Sequence, residues 1–141
     1  MEYKSKIKSF KDLEVYQNTY KASIIICKEI ISKLPPEERY NLKDQLRRSC
    51  TSIPPLIAEG HAKRHQKKAF QKYLEDSIGE INETIVHLSY TRDLYSNLYN
   101  PKLITQLLDI YDKSARQSYN LIAVWDKFSR KPKDEKRNDI R

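Results

Sequence analysis

Apolar residues recur every three or four positions along four stretches of the chain, and polar or charged residues fill the positions between them. These stretches run from Asp12 to about Lys33, from about Glu37 to Ala62, from about Gln66 to Ser96, and from Pro101 to about Phe128. Such spacing is typical of amphipathic α-helices that each bury one stripe of side chains. Four long helices with short connections predict an all-α, antiparallel, up-and-down four-helix bundle over residues 10–128.

The first helix is predicted to bury a stripe of mostly large side chains. Its members are Leu13, Tyr16, Tyr20, Ile24, Cys27, Ile31 and Leu34. The helix is expected to stop at Pro35 and Pro36, because a residue that precedes proline avoids the α conformation.

The second stretch contains Pro54 and Pro55 within a helical pattern. Proline has no backbone N–H, and it costs about 3 kcal/mol inside a helix. The apolar stripe nevertheless keeps its phase from Leu42 to Gly60, which predicts one helix kinked at the two prolines. The hydroxyl groups expected to bond the carbonyls freed by the prolines are those of Ser49, Thr51 and Ser52.

The net charge of +8 is concentrated in three segments. Residues 1–9 carry +2, residues 61–72 carry +5 and residues 127–141 carry +4, so the rest of the chain carries −3. Residues 1–9 are predicted to be a flexible basic N-terminus. Residues 129–141 have almost no apolar side chains and are predicted to be a disordered charged tail.

Three motifs in order along the chain resemble one bacterial family of four-helix bundles. They are FKDLEVYQNTYKAS near the start, QLRRSCTSIPPLIAEGHAKR around the prolines, and FQKYLEDSIGEINET in the third helix. The family is the S23 ribosomal protein family, which is encoded by intervening sequences within some 23S rRNA genes. Leu56 and Pro55 depart from its usual pattern, in which asparagine stands at the position of Leu56.

The resemblance carries expectations about assembly and partners. It implies a bundle that forms a ring, typically a homopentamer. It also implies kinship with accessory proteins of diversity-generating retroelements, which bind nucleic acid and a reverse transcriptase. The residues that match the family pattern and are expected to have structural or interface roles are Pro54, Glu59, Gly60, Gly79 and Glu83. Gly79 lies inside a helix, which predicts that another backbone passes close to it.

The segment 61–72 is the best candidate for contact with RNA or DNA. Clustered cations neutralise phosphates, and the nearby Phe70 and Tyr73 rings could stack on unpaired bases. The cations assigned to this surface are Lys63, Arg64, Lys67, Lys68 and Lys72, together with Arg47 and Arg48 of the second helix. A solvated connection explains the same cluster equally simply, and Arg47 or Arg48 could instead form an ion pair between helices or subunits.

No pattern in the chain indicates catalysis, a metal or a cofactor. His61 and His65 have the spacing of a metal pair but lack a third ligand, so two exposed histidines are the simpler interpretation. Glu59 and Glu83 are interpreted as ion-pair partners of arginines rather than as an acid and a base. The serines of the proline segment lack a companion histidine at a recognisable spacing.

These observations predict a non-enzymatic, cytoplasmic protein that forms oligomers and binds RNA or DNA through a basic surface. No apolar run is long enough to span a membrane. Tyr90, Tyr95, Tyr99 and Tyr119 fall partly outside the predicted stripes, and exposed tyrosines favour protein interfaces. The alternative function is a protein-interaction scaffold ring that does not contact nucleic acid.

Overall fold

The computed structural model describes the backbone of residues 7–140 and the side chains of residues 7–125. Its four main helices are α1 (Glu14–Ile25), α2 (Leu42–Ala62), α3 (Lys67–Leu94) and α4 (Pro101–Ile140). Helices α1 and α3 each contact both α2 and α4. This arrangement is an antiparallel, up-and-down four-helix bundle, and no strand occurs in residues 7–140. The predicted fold class is confirmed.

Helix α1 changes its hydrogen-bonding pattern at its end. It continues as one π-helical stretch, Ile26–Ile30, and one 3₁₀ turn, Ile31–Lys33. The Tyr99 hydroxyl, from the connection between α3 and α4, donates to the Ile30 carbonyl oxygen at 2.7 Å. A second bond at this end joins the Tyr95 hydroxyl to the Glu38 carboxylate. Two of the tyrosines outside the predicted stripes therefore hold the bundle together.

The core of α1 differs from the predicted stripe. Tyr20 and Ile24 are exposed, with 49% and 40% of their surface accessible. The side chains of α1 and its π-helical extension that face the core are instead smaller on average, and several are polar. They are Val15, Thr19, Ala22, Ser23, Ile26 and Ile30. Thr19 and Ser23 are buried at low cost because their hydroxyls donate to carbonyls of α1 itself.

Helix α2 is continuous through Pro54 and Pro55. Pro54 is buried and Pro55 is exposed, so the apolar stripe keeps its phase as predicted. The two prolines leave the carbonyls of Cys50 and Thr51 without their helical N–H donors. The prediction that nearby hydroxyls bond these two carbonyls is wrong. The hydroxyls donate one turn earlier instead: Ser49 to Leu46, Thr51 to Arg47, and Ser52 to Arg48 and Ser49. The kink at the prolines stays a prediction.

The backbone of α4 is helical to Ile140, beyond the predicted helix end near Phe128. Residues 1–6, residue 141 and the side chains beyond Trp125 lie outside the described part of the structure. The flexibility of residues 1–9 and the disordered character of residues 129–141 therefore stay predictions.

Candidate nucleic-acid interface

The connection between α2 and α3 is fixed to α4 by Trp125, the last residue whose side chain the structure describes. The Trp125 indole N–H donates to the Arg64 carbonyl oxygen at 2.7 Å, and the Trp125 ring packs 5.3 Å from the Phe70 ring, centroid to centroid. The Arg64 guanidinium donates to the His61 carbonyl oxygen at 3.0 Å. These bonds make a defined bend of the chain, which we call the cationic elbow and define as residues 61–72.

The five predicted cations all lie within the cationic elbow. Lys67, Lys68 and Lys72 are exposed, whereas Lys63 and Arg64 are half-buried. Lys72 lies 3.0 Å from the Asp76 carboxylate, which raises the pKa of Lys72. Both side chains of this pair are exposed, so the pair adds little stability and leaves the ammonium accessible to a competing anion.

The N-terminus of α3 adds positive potential to the cationic elbow. Gln66 stands at the N-cap position, but its side chain makes no capping hydrogen bond, and the first turn contains no acidic residue. Helix N-termini carry a partial positive charge and prefer acids, yet Lys67 and Lys68 occupy this turn. Lysines placed against the helix dipole favour an anion at this surface.

The up-and-down topology places the cationic elbow, the turn Phe10–Asp12 and Trp125 at one end of the bundle. The turn Phe10–Asp12 contacts α2, and the Asp12 carboxylate acts electrostatically on His61 of the cationic elbow. Trp125, which precedes the basic segment 127–141, donates a hydrogen bond to the Arg64 carbonyl oxygen. Residues 1–9, 61–72 and 127–141, with charges of +2, +5 and +4, therefore attach at the same end. We call it the cationic end.

The surroundings of His61 at this end favour the neutral form of its imidazole. Burial lowers the pKa of His61, and the neighbouring Arg64 and His65 lower it further, while Asp12 opposes them. The lowered pKa favours the neutral imidazole, so His61 adds little to the net charge of +5 that the four lysines and Arg64 give the cationic elbow.

The aromatic part of the predicted surface is not as expected. Phe70 is buried, with 5% of its surface accessible, and packs against Trp125. The Tyr73 ring is half-buried, and the ammonium groups of Lys63 and Lys72 lie 5.9 and 5.6 Å from its centroid. The proposal that Phe70 stacks on an unpaired base is wrong, because the fold already uses this ring.

Arg47 and Arg48 lie on α2, away from the cationic elbow. Both side chains are exposed, and neither forms an ion pair with another described residue. Arg48 lies beside an open groove between α2 and α3, where it acts electrostatically on Glu80 and His87. The structure therefore does not bring these two arginines together with Lys63, Arg64, Lys67, Lys68 and Lys72.

The groove between α2 and α3 is acidic, which the sequence patterns did not reveal. Four carboxylates line it: Glu75, Asp76, Glu80 and Glu83. Burial raises the pKa of Glu80, as does hydrogen bonding with Glu83, and the Ser52 hydroxyl bonded at 3.1 Å opposes them. Glu59 is exposed on α2. Neither Glu59 nor Glu83 is ion-paired with an arginine among the described side chains, contrary to prediction.

The two glycines behave differently. A Cβ atom at Gly60 would lie 3.2 Å from the Tyr73 Cβ, so this glycine lets α2 and α3 approach closely. A Cβ atom at Gly79 would meet nothing within 4 Å, and Gly79 is exposed. The prediction that another backbone passes close to Gly79 is wrong within the described chain.

The part of the chain that the structure describes contains neither a candidate metal cluster nor a helix suited to a membrane. No group of three or more His, Cys, Asp or Glu side chains there is arranged to hold a metal ion. None of its helices is both long enough and apolar enough to cross a membrane.

Cys27 and Cys50 are free thiols, and burial raises the pKa of Cys50 to about 12, so Cys50 stays protonated at neutral pH.

The fold and its surfaces define a class of protein: an up-and-down four-helix bundle with two prolines inside α2 and a cationic end. A family model described as 23S rRNA-intervening sequence protein matches residues 11–120. The chain belongs to this family, as the sequence motifs indicated. Searches of curated proteins and of solved structures found no match.

Proposed function

We propose that this protein is a non-enzymatic, self-associating bundle that binds RNA or DNA through its cationic end. The observation that carries the proposal is that three basic segments with a combined net charge of +11 join the chain at one end of the bundle, while the remainder of the chain is slightly acidic. A concentrated positive potential attracts polyanions over longer distances than dispersed lysines do. Membership of a family described by an rRNA sequence is compatible with this role.

The direct test measures binding of labelled RNA and DNA by fluorescence anisotropy over a series of salt concentrations. Affinity should fall steeply with salt, with a slope of about −0.9 per phosphate neutralised in a duplex. The variant Lys63→Glu/Lys68→Glu changes one half-buried and one exposed lysine of the cationic elbow. It should bind more weakly and with a shallower slope.

The matched control is Lys33→Glu/Lys102→Glu, which makes the same charge change at the opposite end of the bundle. This variant should retain most of the binding. A drop in affinity that is equal in both variants would mean that net charge, rather than the cationic end, attracts the nucleic acid. Absence of any elbow-dependent binding would favour the alternative function, a scaffold that contacts only proteins.

The proposed self-association is supported by the outer face of α3. Gly79 has no packing role within the described chain, although glycine in a helix costs about 1 kcal/mol relative to alanine. Val86, Tyr90 and Leu94 follow it on the same face, with 50%, 56% and 62% of their surface accessible. Exposed apolar side chains in one stripe are typical of protein interfaces.

Sedimentation velocity tests this face. The variant Val86→Lys/Tyr90→Lys should shift the protein towards monomers, whereas Tyr40→Lys should not, because Tyr40 is exposed on the short connection between α1 and α2. A wild-type protein that sediments as a monomer at all concentrations would contradict self-association without affecting the nucleic-acid proposal. Interface roles for the exposed Glu59 and Glu83 are part of the same proposal, whereas structural roles are proposed for Pro54 and Gly60, which are buried inside the bundle.

Three finer expectations stay predictions from the family resemblance and the sequence. They are the number of five subunits, a cytoplasmic location and a reverse transcriptase as protein partner.

A further inference from the structure

The rings of the cationic elbow determine what form of nucleic acid it suits. Phe70 and Trp125 pack against each other with their centroids 5.3 Å apart. The Trp125 N–H is also committed to the Arg64 carbonyl oxygen at 2.7 Å. Moving either ring to stack on a base would open the contact that fixes α4 to the elbow. These two rings therefore serve the fold.

Tyr73 is also restricted. Its Cβ lies against Gly60 of α2, 3.2 Å from where a Cβ atom on that glycine would be. Two lysine ammonium groups lie within 6 Å of its ring centroid: Lys63 at 5.9 Å and Lys72 at 5.6 Å. A base stacked on this ring would have to displace these cations, which are the groups that attract phosphates.

Two imidazole rings complete the set. His61 is half-buried, while His65 is exposed. His65 is therefore the one exposed ring among residues 61–73. The cationic elbow and the adjoining Tyr73 thus offer five cations but only one fully exposed ring.

Proteins that hold single strands without regard to sequence stack successive bases on aromatic side chains, and loop-binding proteins also stack unpaired bases. Base-paired stems instead present their phosphates outward and keep their bases stacked on one another. We propose that the nucleic acid bound at the cationic elbow is a base-paired stem, contacted through its phosphates. This inference rests on the proposed nucleic-acid binding and specifies its partner.

The distribution of charge supports a stem. Cations lie on both elements that meet in the cationic elbow: Lys63 and Arg64 follow the end of α2, and Lys67, Lys68 and Lys72 lie in the first turns of α3. A double helix carries two rows of phosphates at fixed spacing, so it can meet several separated cations at once without the entropy cost of ordering a flexible strand.

The test compares three probes of matched sequence by fluorescence anisotropy: an RNA hairpin, the two halves of its stem as separate unpaired strands, and the DNA hairpin. The wild-type protein should bind the hairpins at least about tenfold more tightly than the unpaired strands. Similar affinities for the RNA and DNA hairpins would mean that phosphates alone are recognised. Preference for the RNA hairpin would indicate added contacts with its 2′-hydroxyl groups.

Substitutions of the His65 and Tyr73 rings test separately whether base stacking contributes to binding. His65→Ala and Tyr73→Leu should each change hairpin binding less than about twofold, because stacking does not contribute. Circular dichroism checks that Tyr73→Leu remains folded, and His65→Ala is a second variant at an exposed position. Tighter binding of the unpaired strands, or selective loss of strand binding in His65→Ala, would overturn the preference for a stem. Failure of every probe to bind through the cationic elbow would instead overturn the proposed function.

Discussion

Two glycines show how the same residue can serve different purposes. At Gly60 a Cβ atom would press on the Tyr73 Cβ at 3.2 Å and on the Leu74 side chain at 3.4 Å. At Gly79 it would meet nothing within 4 Å. The sequence pattern assigned the close approach to Gly79, because a glycine inside a helix carries no information about which neighbour it faces. Only the packing of α2 on α3 separates the two.

Alanine substitutions at these glycines should change stability in opposite directions. Gly79→Ala should raise the free energy of unfolding by about 1 kcal/mol, the difference in helix propensity. Gly60→Ala should lower it by about 1 kcal/mol, because overpacking outweighs the same gain in propensity. Urea denaturation of both variants measures the difference. Stabilisation of Gly60→Ala would show that α2 and α3 can separate without cost.

Two buried tyrosines make a second contrasting pair. The Tyr111 hydroxyl is buried without a hydrogen-bond partner among the described residues, whereas the Tyr99 hydroxyl donates to the Ile30 carbonyl oxygen. Tyr111→Phe should therefore stabilise the protein by about 1 kcal/mol, and Tyr99→Phe should destabilise it by a similar amount. Thermal unfolding measures both. A loss of stability in Tyr111→Phe would reveal a partner for this hydroxyl.

At the scale of helices, the continuity of α2 was predictable but its internal bonding was not. The stripe from Leu42 to Gly60 kept its phase across the prolines, and phase is a property of sequence alone. Hydroxyl orientation depends on rotamers, which the pattern does not specify. The same limit applies to α1, where small polar residues face the core and Tyr20 faces outward. The π-helical stretch Ile26–Ile30 has no signal in the spacing of apolar residues.

The exposed proline of α2 allows a direct test of helix strain. Pro55→Ala restores an N–H that can bond the Thr51 carbonyl oxygen and removes a ring from the helix interior. The free energy of unfolding should rise by about 2 kcal/mol. Removing proline from the helix contributes about 3 kcal/mol, and the greater conformational entropy of the unfolded variant offsets part of this. Urea denaturation measures it. An unchanged or lower stability would mean that the proline ring makes contacts that alanine cannot replace.

The groove between α2 and α3 predicts a dependence of stability on pH. Burial and Glu83 raise the pKa of Glu80 above its ordinary value of 4.5, while Arg48 and the Ser52 hydroxyl partly oppose this. The folded state then binds more protons than the unfolded state above pH 4.5, so its stability falls as the pH rises through the raised pKa.

Substitution of Glu80 isolates this effect. Glu80→Gln should show a flatter profile of unfolding free energy above pH 4.5 and should be at least as stable as the wild type at neutral pH. Glu75→Gln, on the same groove but exposed, is the matched control and should keep the wild-type profile. A wild-type slope in Glu80→Gln would mean that another group titrates.

At the scale of the whole molecule, the sequence revealed the charges but not their convergence. Residues 1–9, 61–72 and 127–141 are far apart along the chain, and each alone resembles a solvated terminus or connection. An even number of antiparallel helices returns both termini to the end that carries the connection of α2 and α3. The lysines and the arginine of the cationic elbow could thus be predicted from the sequence. The burial of Phe70 and the hydrogen bond from Trp125 to Arg64 could be seen only in the folded structure.

If the basic segments act together at the cationic end, the position of a charge should matter as well as the net charge of the chain. Replacing Arg130, Lys131 and Lys133 by glutamine removes three positive charges from the segment that follows the cationic end. Affinity for nucleic acid should fall, and the salt slope should become shallower by about 0.9 for each phosphate that the protein no longer neutralises. Replacing Lys33, Arg39 and Lys102 by glutamine removes the same charge at the opposite end and should change the slope little. Equal slopes in both triple variants would show that the bundle attracts nucleic acid through its overall charge, because position would then have no influence on the number of phosphates neutralised.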